Sequence, residues 1–375
     1  MPVLKFAASS TAPSPTAAVK RLLRPKSAVG NSSTSTPTVA GPGASATSSD
    51  DLRGNLAQLF NLKKKNRSMK TLLSFGGWNA GTANFSMMAG DPSSRDYFAQ
   101  SALQMMENYG FDGLPETVSY RWAFLTISIG LDIDWEYPET ATDANNYVLL
   151  LKSIRASLNG LSAATGGRYL LSAVGAAGLA QMQYLTSYLP EIADQVDFWN
   201  ILAYDFAGEF STVTAHASNF HSAQNLTTPF SGLVAFDNYV LNQVPSSKLV
   251  LGCPTYGHSF CQTDGFGFAF TPCLEATGGV IEAGGIVPYK DLPLPNAVSQ
   301  YSSDLIAAWS EDASIRQVIS YENKQSIGDK ISASNFSGFM WWRAATDKVG
   351  EESLIKTVGL LASILVLVLT LLPGF

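Results

Sequence analysis

Cysteine, histidine and charge are all scarce in this sequence. Its 375 residues include three cysteines and three histidines, and only 14% of them are charged. Three cysteines are too few for a disulfide-stapled scaffold, and an odd number leaves at least one thiol outside any bridge. A bridge between Cys261 and Cys273 is compatible with this count but has no other support in the sequence.

The balance of charge is acidic. The net charge is −6, and neither a basic patch nor a nucleic-acid-binding motif stands out. This argues against nucleic acid as a partner. The hydrophobic content of 46% lets a chain of this length bury a large core. One barrel domain of about 250 residues or more would account for most of the chain.

The first 50 residues lack acidic side chains before Asp50 and lack an apolar period. They are rich in Ser, Thr, Pro and Ala, a composition that predicts disorder. Lys5 interrupts the only apolar start, so we predict no secretory signal peptide. The basic, acid-free composition also resembles a transit peptide, but a low-complexity tail is the simpler interpretation.

Strand and helix patterns alternate from residue 51 onward, which predicts an α/β fold with a parallel sheet and helices outside it. The predicted strands are 70–78, 169–174, 198–204, 248–252 and 338–342. The predicted helices are 52–65, 92–109, 145–158 and 324–334. Residues 238–244 are predicted to end a further helix. Residues 258–321 break the alternation and are too many for a simple loop, which predicts an inserted α+β subdomain.

Three carboxylates stand at every second position of the segment 130–138. Asp132, Asp134 and Glu136 therefore share one face of a strand, roughly 6–7 Å apart. The apolar run 124–129 before them predicts a strand buried on both sides, with the acids at its C-terminal end. Crowding should keep at least one acid protonated to higher pH than a free carboxyl. The outermost acid, Glu136, is best placed to act as a general acid.

This acid row has two other interpretations, a solvated edge strand and a metal site. A solvated face of an antiparallel edge strand would also alternate, but the apolar run before the row and the neighbours Trp135 and Tyr137 disfavour it. Metal binding is the second alternative. The three histidines lie elsewhere and no second acidic cluster is obvious, so we expect neither a metal nor a cofactor.

The segment 131–138, Leu-Asp-Ile-Asp-Trp-Glu-Tyr-Pro, resembles the signature of glycoside hydrolase family 18, the chitinases, and fungal endochitinases in particular. The family motif is Asp-Gly-x-Asp-x-Asp-x-Glu, and its last six positions match residues 131–136. The resemblance implies a TIM (β/α)8-type barrel with the α+β insertion before the last strand. It also implies a substrate-assisted retaining mechanism on chitin or chito-oligosaccharides. Glu136 is then the general acid, with Asp134, Asp132 and Tyr204 orienting and stabilising the intermediate.

Four further segments are similar to strands of the same family. Residues 74–78 resemble the third strand, 197–205 the sixth, 249–257 the seventh and 338–342 the eighth. The resemblance implies that the following residues bind substrate: Asp205, Trp342, Tyr256, Trp78 and Tyr137. Where the family usually has Arg after Tyr256-Gly257, this chain has His258, which should weaken one contact. Trp341 points away from Trp342 and is expected in the core.

The sequence departs from the family in two places. The family's Asp-Gly should precede Leu131, but Ile129 occupies the acid's position, and a fitting Gly-Phe-Asp-Gly ends at Gly113. Removing the 17 residues 114–130 would restore the motif, so we hypothesise a retained intron of 17 × 3 = 51 nucleotides. The first two barrel strands are also not found before residue 51, which predicts an incomplete barrel.

The predicted organisation is a disordered segment 1–50, a catalytic barrel 51–352 containing the insertion 258–321, and a hydrophobic tail 353–375. The tail could be a last helix, a short membrane tail or a lipid-anchor signal. We expect a monomer outside the cell or at its surface, attached to a membrane or cell wall if the tail is an anchor. The alternative functions are a catalytically inactive chitin-binding protein and an endo-β-N-acetylglucosaminidase.

Overall fold

The computed structural model describes residues 2–6, 70–108, 129–223, 227–228, 230–273, 280–358 and 364–369. The chain forms two compact units. The first unit comprises the residues up to 174, residues 184–199 and residues from 369 onward, and the second comprises residues 175–183 and 200–368. The predicted helix 52–65 and most of the segment 114–130 lie outside the described residues.

Parallel strands run through the first unit. They are β1 (Pro2–Phe6), β2 (Lys70–Gly76), β3 (Ile129–Asp134) and the beginning of β4 (Leu170–Ala176). Each pairs in parallel with the next, β2 with β3 through Leu73 and Leu131, for example. All seven residues of β2 and of β4 are buried, as expected for parallel strands covered on both faces. The sequence analysis does not predict β1, which lies in the segment 1–50 predicted to be disordered, where Lys5 interrupts the apolar residues.

Glycine permits the close approach of β3 to β4. A Cβ atom added to Gly130 would lie 2.1 Å from the carbonyl oxygen of Leu170. Any other residue would therefore push the two strands apart at the point where the acid row begins. Of the family's Asp-Gly pair, the chain as written keeps the glycine immediately before Leu131.

Three main helices accompany these strands: α1 (Thr82–Gly90), α2 (Pro92–Asn108) and α3 (Ala141–Thr165), followed by the short α4 (Leu189–Gln195). Helix α3 is longer at both ends than the predicted 145–158. Its first turn is capped by Thr140, whose hydroxyl accepts the N–H of Asp143 at 3.0 Å. It ends at Gly166, which adopts the left-handed conformation with φ 73°.

An ion cluster holds the start of β5 (Phe198–Leu202). The carboxylate of Asp197 accepts hydrogen bonds from Arg155 at 2.7 Å, from Arg168 at 3.0 Å and from the backbone N–H of Leu171 at 2.8 Å. Burial by itself raises the pKa of Asp197, but the backbone N–H and the guanidinium groups outweigh it and hold the pKa below its ordinary value. The charged carboxylate thus ties β5 to α3 and β4.

The second unit contains another set of parallel strands. β6 (Leu249–Pro254) pairs in parallel with β13 (Gly338–Trp342), and β13 pairs in parallel with β14 (Ile364–Leu369). The strand β14 lies in the hydrophobic tail, for which the sequence analysis proposed a helix, a membrane tail or an anchor. Its alternation of Leu with Ile and Val suits a strand. Among the described residues, no helix has the length and apolar character that a membrane span requires.

An antiparallel sheet occupies the predicted insertion. Its strands are β7 (Tyr256–Cys261), β8 (Thr271–Pro272), β9 (Ile286–Pro288), β10 (Val298–Ser302), β11 (Ala307–Asp312) and β12 (Gln317–Tyr321). The strand order is β10-β11-β12-β7-β8, with β9 paired to β7. A disulfide joins Cys261 to Cys273, the pairing that the cysteine count left open. Cys253 on β6 is buried and free.

The helices of the second unit include α5 (Gly232–Leu241) and α6 (Lys324–Ala333), together with the short α7 (Leu354–Val358) and a single helical turn at Leu179–Met182. A buried ion pair fastens α6. Lys330 contacts the carboxylate of Glu322, and both side chains are 2% exposed. The hydroxyls of Ser218 and Ser326 each donate to Glu322 at 2.6 Å, so both oxygens of the buried carboxylate accept a hydrogen bond.

Candidate active site

The innermost acid of the row, Asp132, is clamped between the neighbouring strands. The pairing register places Ser74 of β2 and Ser172 of β4 beside it. The Ser74 hydroxyl donates to one carboxylate oxygen at 2.6 Å, and the Ser172 hydroxyl donates to the other at 2.5 Å. The Asp132 side chain is fully buried. It therefore acts on its neighbours in the protein and is closed to solvent.

Asp134 is the last residue of β3, and two glycines, Gly76 and Gly77, lie beside it. The backbone carbonyl of Asp134 accepts the N–H of Gly77 at 2.8 Å. A Cβ on Gly76, whose φ is 121°, would lie 2.0 Å from that same carbonyl oxygen. The Gly-Gly pair of the 74–78 segment thus lets β2 approach the end of the acid row. The Asp134 side chain is half-buried.

Glu136 lies beyond the end of β3 on a segment that is anchored on both sides. Trp135 is fully buried and stacks on Phe85 of α1 with ring centroids 5.1 Å apart. The hydroxyl of Thr82 accepts the Trp135 indole N–H at 3.3 Å and donates to the backbone carbonyl of Tyr137 at 2.6 Å. The backbone on either side of Glu136 is therefore fixed, while its own side chain stays half-exposed. Sequence reasoning missed Thr82, which carries no motif.

The aromatic candidates of the first unit differ in exposure. Trp78 begins a short 3-10 turn after β2, and 73% of it is exposed. Tyr137 is half-buried. An exposed indole of this size is unusual for a residue with only a structural role. The assignment of both residues to substrate binding stays a prediction.

In the second unit, Asp205 is the centre of a hydrogen-bonded cluster. The Tyr256 hydroxyl donates to its two carboxylate oxygens at 2.7 and 2.9 Å, and Nε2 of His258 lies 2.8 Å from one of them. Burial, followed by the charge of Asp205, raises the pKa of the Tyr256 hydroxyl well above its ordinary value. Tyr256 is thus a neutral donor, and the side chain of Asp205 remains 45% exposed.

Tyr204 lies against β6 where glycine makes room for it. A Cβ on Gly252 would lie 2.9 Å from the Tyr204 ring. At the next strand, Trp342 is half-buried at the end of β13, and its carbonyl accepts the N–H of Thr255 at 2.7 Å. Trp341 is fully buried, which confirms its predicted place in the core. Tyr204 and Tyr256 thus lie two residues beyond the ends of β5 and β6, and Trp342 is the last residue of β13.

The structure adds one residue that sequence reasoning undervalued. His258 was expected only to weaken a contact, but it is buried and bonded to Asp205. Its signal in the sequence was its position two residues after Tyr256 on a strand, which places both side chains on one face. The expected raised pKa within the acid row stays a prediction. In the described part of the chain, no three His, Cys, Asp or Glu side chains are grouped as metal ligands would be.

The comparison with known proteins covers most of the chain. Over 311 residues the chain is 37% identical to Chitinase 1 of Aphanocladium album, covering 81% of this chain and 68% of that protein. Over 310 residues it is 36% identical to Endochitinase 1 of Metarhizium anisopliae, with the same coverage of 81% and 68%.

Solved structures show the same fold. A chitinase from Bacillus thuringiensis aligns with a TM-score of 0.68 and 26% identity, over 81% of this chain and 52% of that one. An immunomodulatory active chitinase from Trichuris suis aligns with a TM-score of 0.68 and 26% identity, over 80% and 79% of the two chains. The predicted fold class, a TIM-type barrel with an inserted subdomain, is confirmed.

The family assignment follows from both the site and the whole chain. The sequence model of the glycosyl hydrolases family 18 matches residues 31–347, which include the acid row, the Tyr204-Asp205 pair and Trp342. The prediction that the chain is a glycoside hydrolase is confirmed. This chain belongs to family 18 of the glycosyl hydrolases.

Proposed function

We propose that this protein is a chitinase that hydrolyses β-1,4-linked N-acetylglucosamine polymers, with Glu136 as its general acid. The observation that supports this most strongly is the row Asp132, Asp134 and Glu136 at the end of β3, whose inner member Asp132 is held by two serine hydroxyls. Relatives that are 36–37% identical are named chitinases and endochitinases. Because a polymer of this kind does not cross membranes, the proposal includes action outside the cell or at its surface.

In the proposed mechanism the substrate supplies its own nucleophile. Glu136 donates its proton to the glycosidic oxygen as the bond from that oxygen to the anomeric carbon breaks. The 2-acetamido carbonyl oxygen attacks the anomeric carbon and forms a cyclic oxazolinium ion. Water, deprotonated by the Glu136 carboxylate, then opens this ion, restores the acid and leaves the anomeric configuration retained.

The remaining acids act on charge and orientation in this proposal. Asp134 stands two residues before Glu136 and orients the acetamido group, with Tyr204 as a hydroxyl donor. Asp132 is fully buried, so its role is to hold the electrostatic environment of Asp134 rather than to touch the sugar. The fixed backbone around Glu136, provided by Trp135 and Thr82, keeps the acid at one position.

Asp205 is proposed to accept a hydrogen bond from the substrate. An ionised carboxylate has about four acceptor sites. Tyr256 and His258 occupy part of this capacity, and the exposed fraction of 45% leaves the rest open. An amide N–H or a sugar hydroxyl is the kind of donor that matches. Trp342, Trp78 and Tyr137 are proposed as the aromatic surfaces that contact the sugar rings.

The test compares sugar release from colloidal chitin by the parent protein, by Glu136→Gln and by Glu139→Gln. Glu139 is an exposed glutamate three residues away and serves as the matched control. We expect Glu136→Gln to lose activity by about a hundredfold or more, because a positioned general acid contributes at least that much. Glu139→Gln should retain it. Thermal melting of both variants checks that each is folded.

The same assay distinguishes the alternatives. Binding to chitin without turnover by the parent would indicate an inactive chitin-binding protein, which Ile129 at the position of the family's first acid would favour. Release of glycans from glycoproteins, with chitin untouched, would indicate an endo-β-N-acetylglucosaminidase. Equal activity of the parent and Glu136→Gln would refute the proposed acid.

A further inference from the structure

An exposed asparagine, Asn335, lies in the loop that joins α6 to β13. Helix α6 ends at Ala333, and β13 begins at Gly338. Asn335, Phe336 and Ser337 form the tripeptide Asn-x-Ser, in which the middle residue is not proline. This is the sequence that an acceptor of an N-linked glycan requires in a secreted protein. Because the tripeptide also occurs by chance, its place in the fold decides whether a glycan can be carried.

The chain contains five tripeptides of the form Asn-x-Ser or Asn-x-Thr, and the structure describes two of the five asparagines. They begin at Asn31, Asn66, Asn84, Asn225 and Asn335. The first, second and fourth lie outside the described residues. The structure therefore compares Asn84, on α1, with Asn335.

The fold leaves no room for a glycan at Asn84. Its side chain is 5% exposed, and its amide N–H donates to the carbonyl of Ala80 at 3.1 Å. The next residue, Phe85, is buried and stacks on Trp135. An N-linked glycan is bulky and hydrophilic and needs a surface position. A glycan here would displace α1 from the segment that carries Glu136.

Asn335, in contrast, is exposed, as are Ser332 and Ala333 in the last turn of α6. Among the described residues, no group forms a hydrogen bond with the Asn335 amide. Its φ is not positive, so the backbone does not require asparagine at this position. The amide nitrogen is therefore open to a covalent substituent.

The two residues after Asn335 hold the loop against the protein. Phe336 packs on Phe236 of α5, with ring centroids 4.7 Å apart. The hydroxyl and the N–H of Ser337 both donate to the carbonyl of Leu249, each at 2.9 Å. Since a transferase must recognise the Ser337 hydroxyl, transfer of a glycan must precede the docking of this loop on β6.

The loop lies at the opposite end of β13 from the proposed sugar contact. It precedes Gly338, whereas Trp342 is the last residue of the strand. At about 3.3 Å per residue step, the two ends of the strand are about 13 Å apart. The parallel neighbour β6 has Leu249 at its start and Tyr256 beyond its end. A glycan at Asn335 would thus leave the end that carries Trp342 uncovered.

We propose that Asn335 carries an N-linked glycan when this protein passes through the secretory pathway. This rests on the part of the proposed function that places the protein outside the cell. In the transfer, the amide nitrogen of Asn335 bonds to the anomeric carbon of an oligosaccharide linked to a lipid diphosphate. The bond from this carbon to the diphosphate oxygen breaks, the lipid diphosphate leaves, and the nitrogen loses one of its two protons.

The test expresses the full chain behind a secretion leader in a glycosylating yeast, as the parent, Ser337→Ala, Ser337→Thr and Ser86→Ala. Peptide N-glycosidase converts a glycosylated asparagine to aspartate, which mass spectrometry locates in a peptide map. We expect this conversion at Asn335 in the parent, in Ser337→Thr and in Ser86→Ala, and its loss in Ser337→Ala. Ser86→Ala removes the tripeptide at Asn84 and is the matched control.

The peptide map of the parent decides the proposal by itself, even where a variant fails to fold. Unmodified Asn335 in the parent, or a glycan at Asn84 in the folded secreted protein, would overturn it. Enzymatic removal of the glycan should leave KM and kcat unchanged, and a changed KM would contradict the inferred distance from the cleft. A glycan at Asn335 on a protein that neither binds nor cleaves chitin refutes the proposed function alone. Unmodified Asn335 in an active chitinase refutes this proposal alone.

Discussion

Acid should destabilise the second unit through one buried histidine, His216. Its side chain is 3% exposed, lies 3.9 Å from Phe266 between ring centroids, and meets Trp309 edge-on at 5.3 Å. Burial, and secondly the positive charge of Lys330, lower the pKa of His216 from 6.5 to about 4. The folded protein therefore keeps this ring neutral over a pH range in which the unfolded chain protonates it.

The sign and size of the effect follow from proton linkage. Between pH 6.5 and pH 4 the unfolded state binds a proton at His216 that the folded state does not, so the free energy of unfolding falls as the pH falls. With a folded pKa of about 4 and an unfolded pKa of 6.5, the loss between pH 7.5 and pH 4.5 is about 2.5 kcal/mol. Below the folded pKa the loss levels off.

Urea unfolding at pH 7.5, 6.0 and 4.5, followed by tryptophan fluorescence, measures this loss. His216→Gln should unfold more easily than the parent at pH 7.5, because it loses the stacking on Phe266, but its stability should fall by about 2.5 kcal/mol less on acidification. His221→Gln, a change at a half-exposed histidine, should keep the parent's pH dependence. An identical pH dependence of His216→Gln and the parent would refute the reasoning.

Two further predictions concern stability. Replacing both Cys261 and Cys273 by serine should lower the free energy of unfolding by about 3 kcal/mol, since the bridge closes a loop with a separation of 12 residues; urea unfolding of the variant against the reduced and oxidised parent measures this, and equal midpoints for all three would contradict it. Asp197→Asn should cost about 2 kcal/mol at neutral pH, where the parent carboxylate is charged and bonded to Arg155. Because the folded pKa of Asp197 is lowered, this deficit should shrink below about pH 4, and a deficit constant down to pH 2 would contradict the assignment.

Strong local patterns predicted much of the fold. The strand 338–342 has the bounds of β13, and the fully buried Trp341 agrees with the rule that adjacent strand residues face opposite ways. The helix predicted at 145–158 exists but runs over Ala141–Thr165. Its ends depend on capping by Thr140 and Gly166, which apolar periodicity does not detect.

Contacts between distant parts of the chain were beyond sequence reasoning. Asp132 was found from its spacing, but its clamp requires Ser172, which lies 40 residues further along the chain. The bond between His258 and Asp205 joins residues separated by 53 positions. The parallel pairing of the tail strand Ile364–Leu369 with β13 is another case, since an apolar run alone fits a helix, an anchor or a strand.

The close approach of β3 to β4 at Gly130 has a consequence for transcripts with and without the codons of residues 114–130. If splicing removed residues 114–130, Gly113 would arrive directly before Leu131, and the gap beside Leu170 would still be filled by a residue without a Cβ. The β3 to β4 register could then be retained unchanged. The residue before this glycine would change, because Asp112 would stand where Ile129 stands in this chain. Alternative splicing at this junction would thus add or withdraw one carboxylate while leaving the sheet in place.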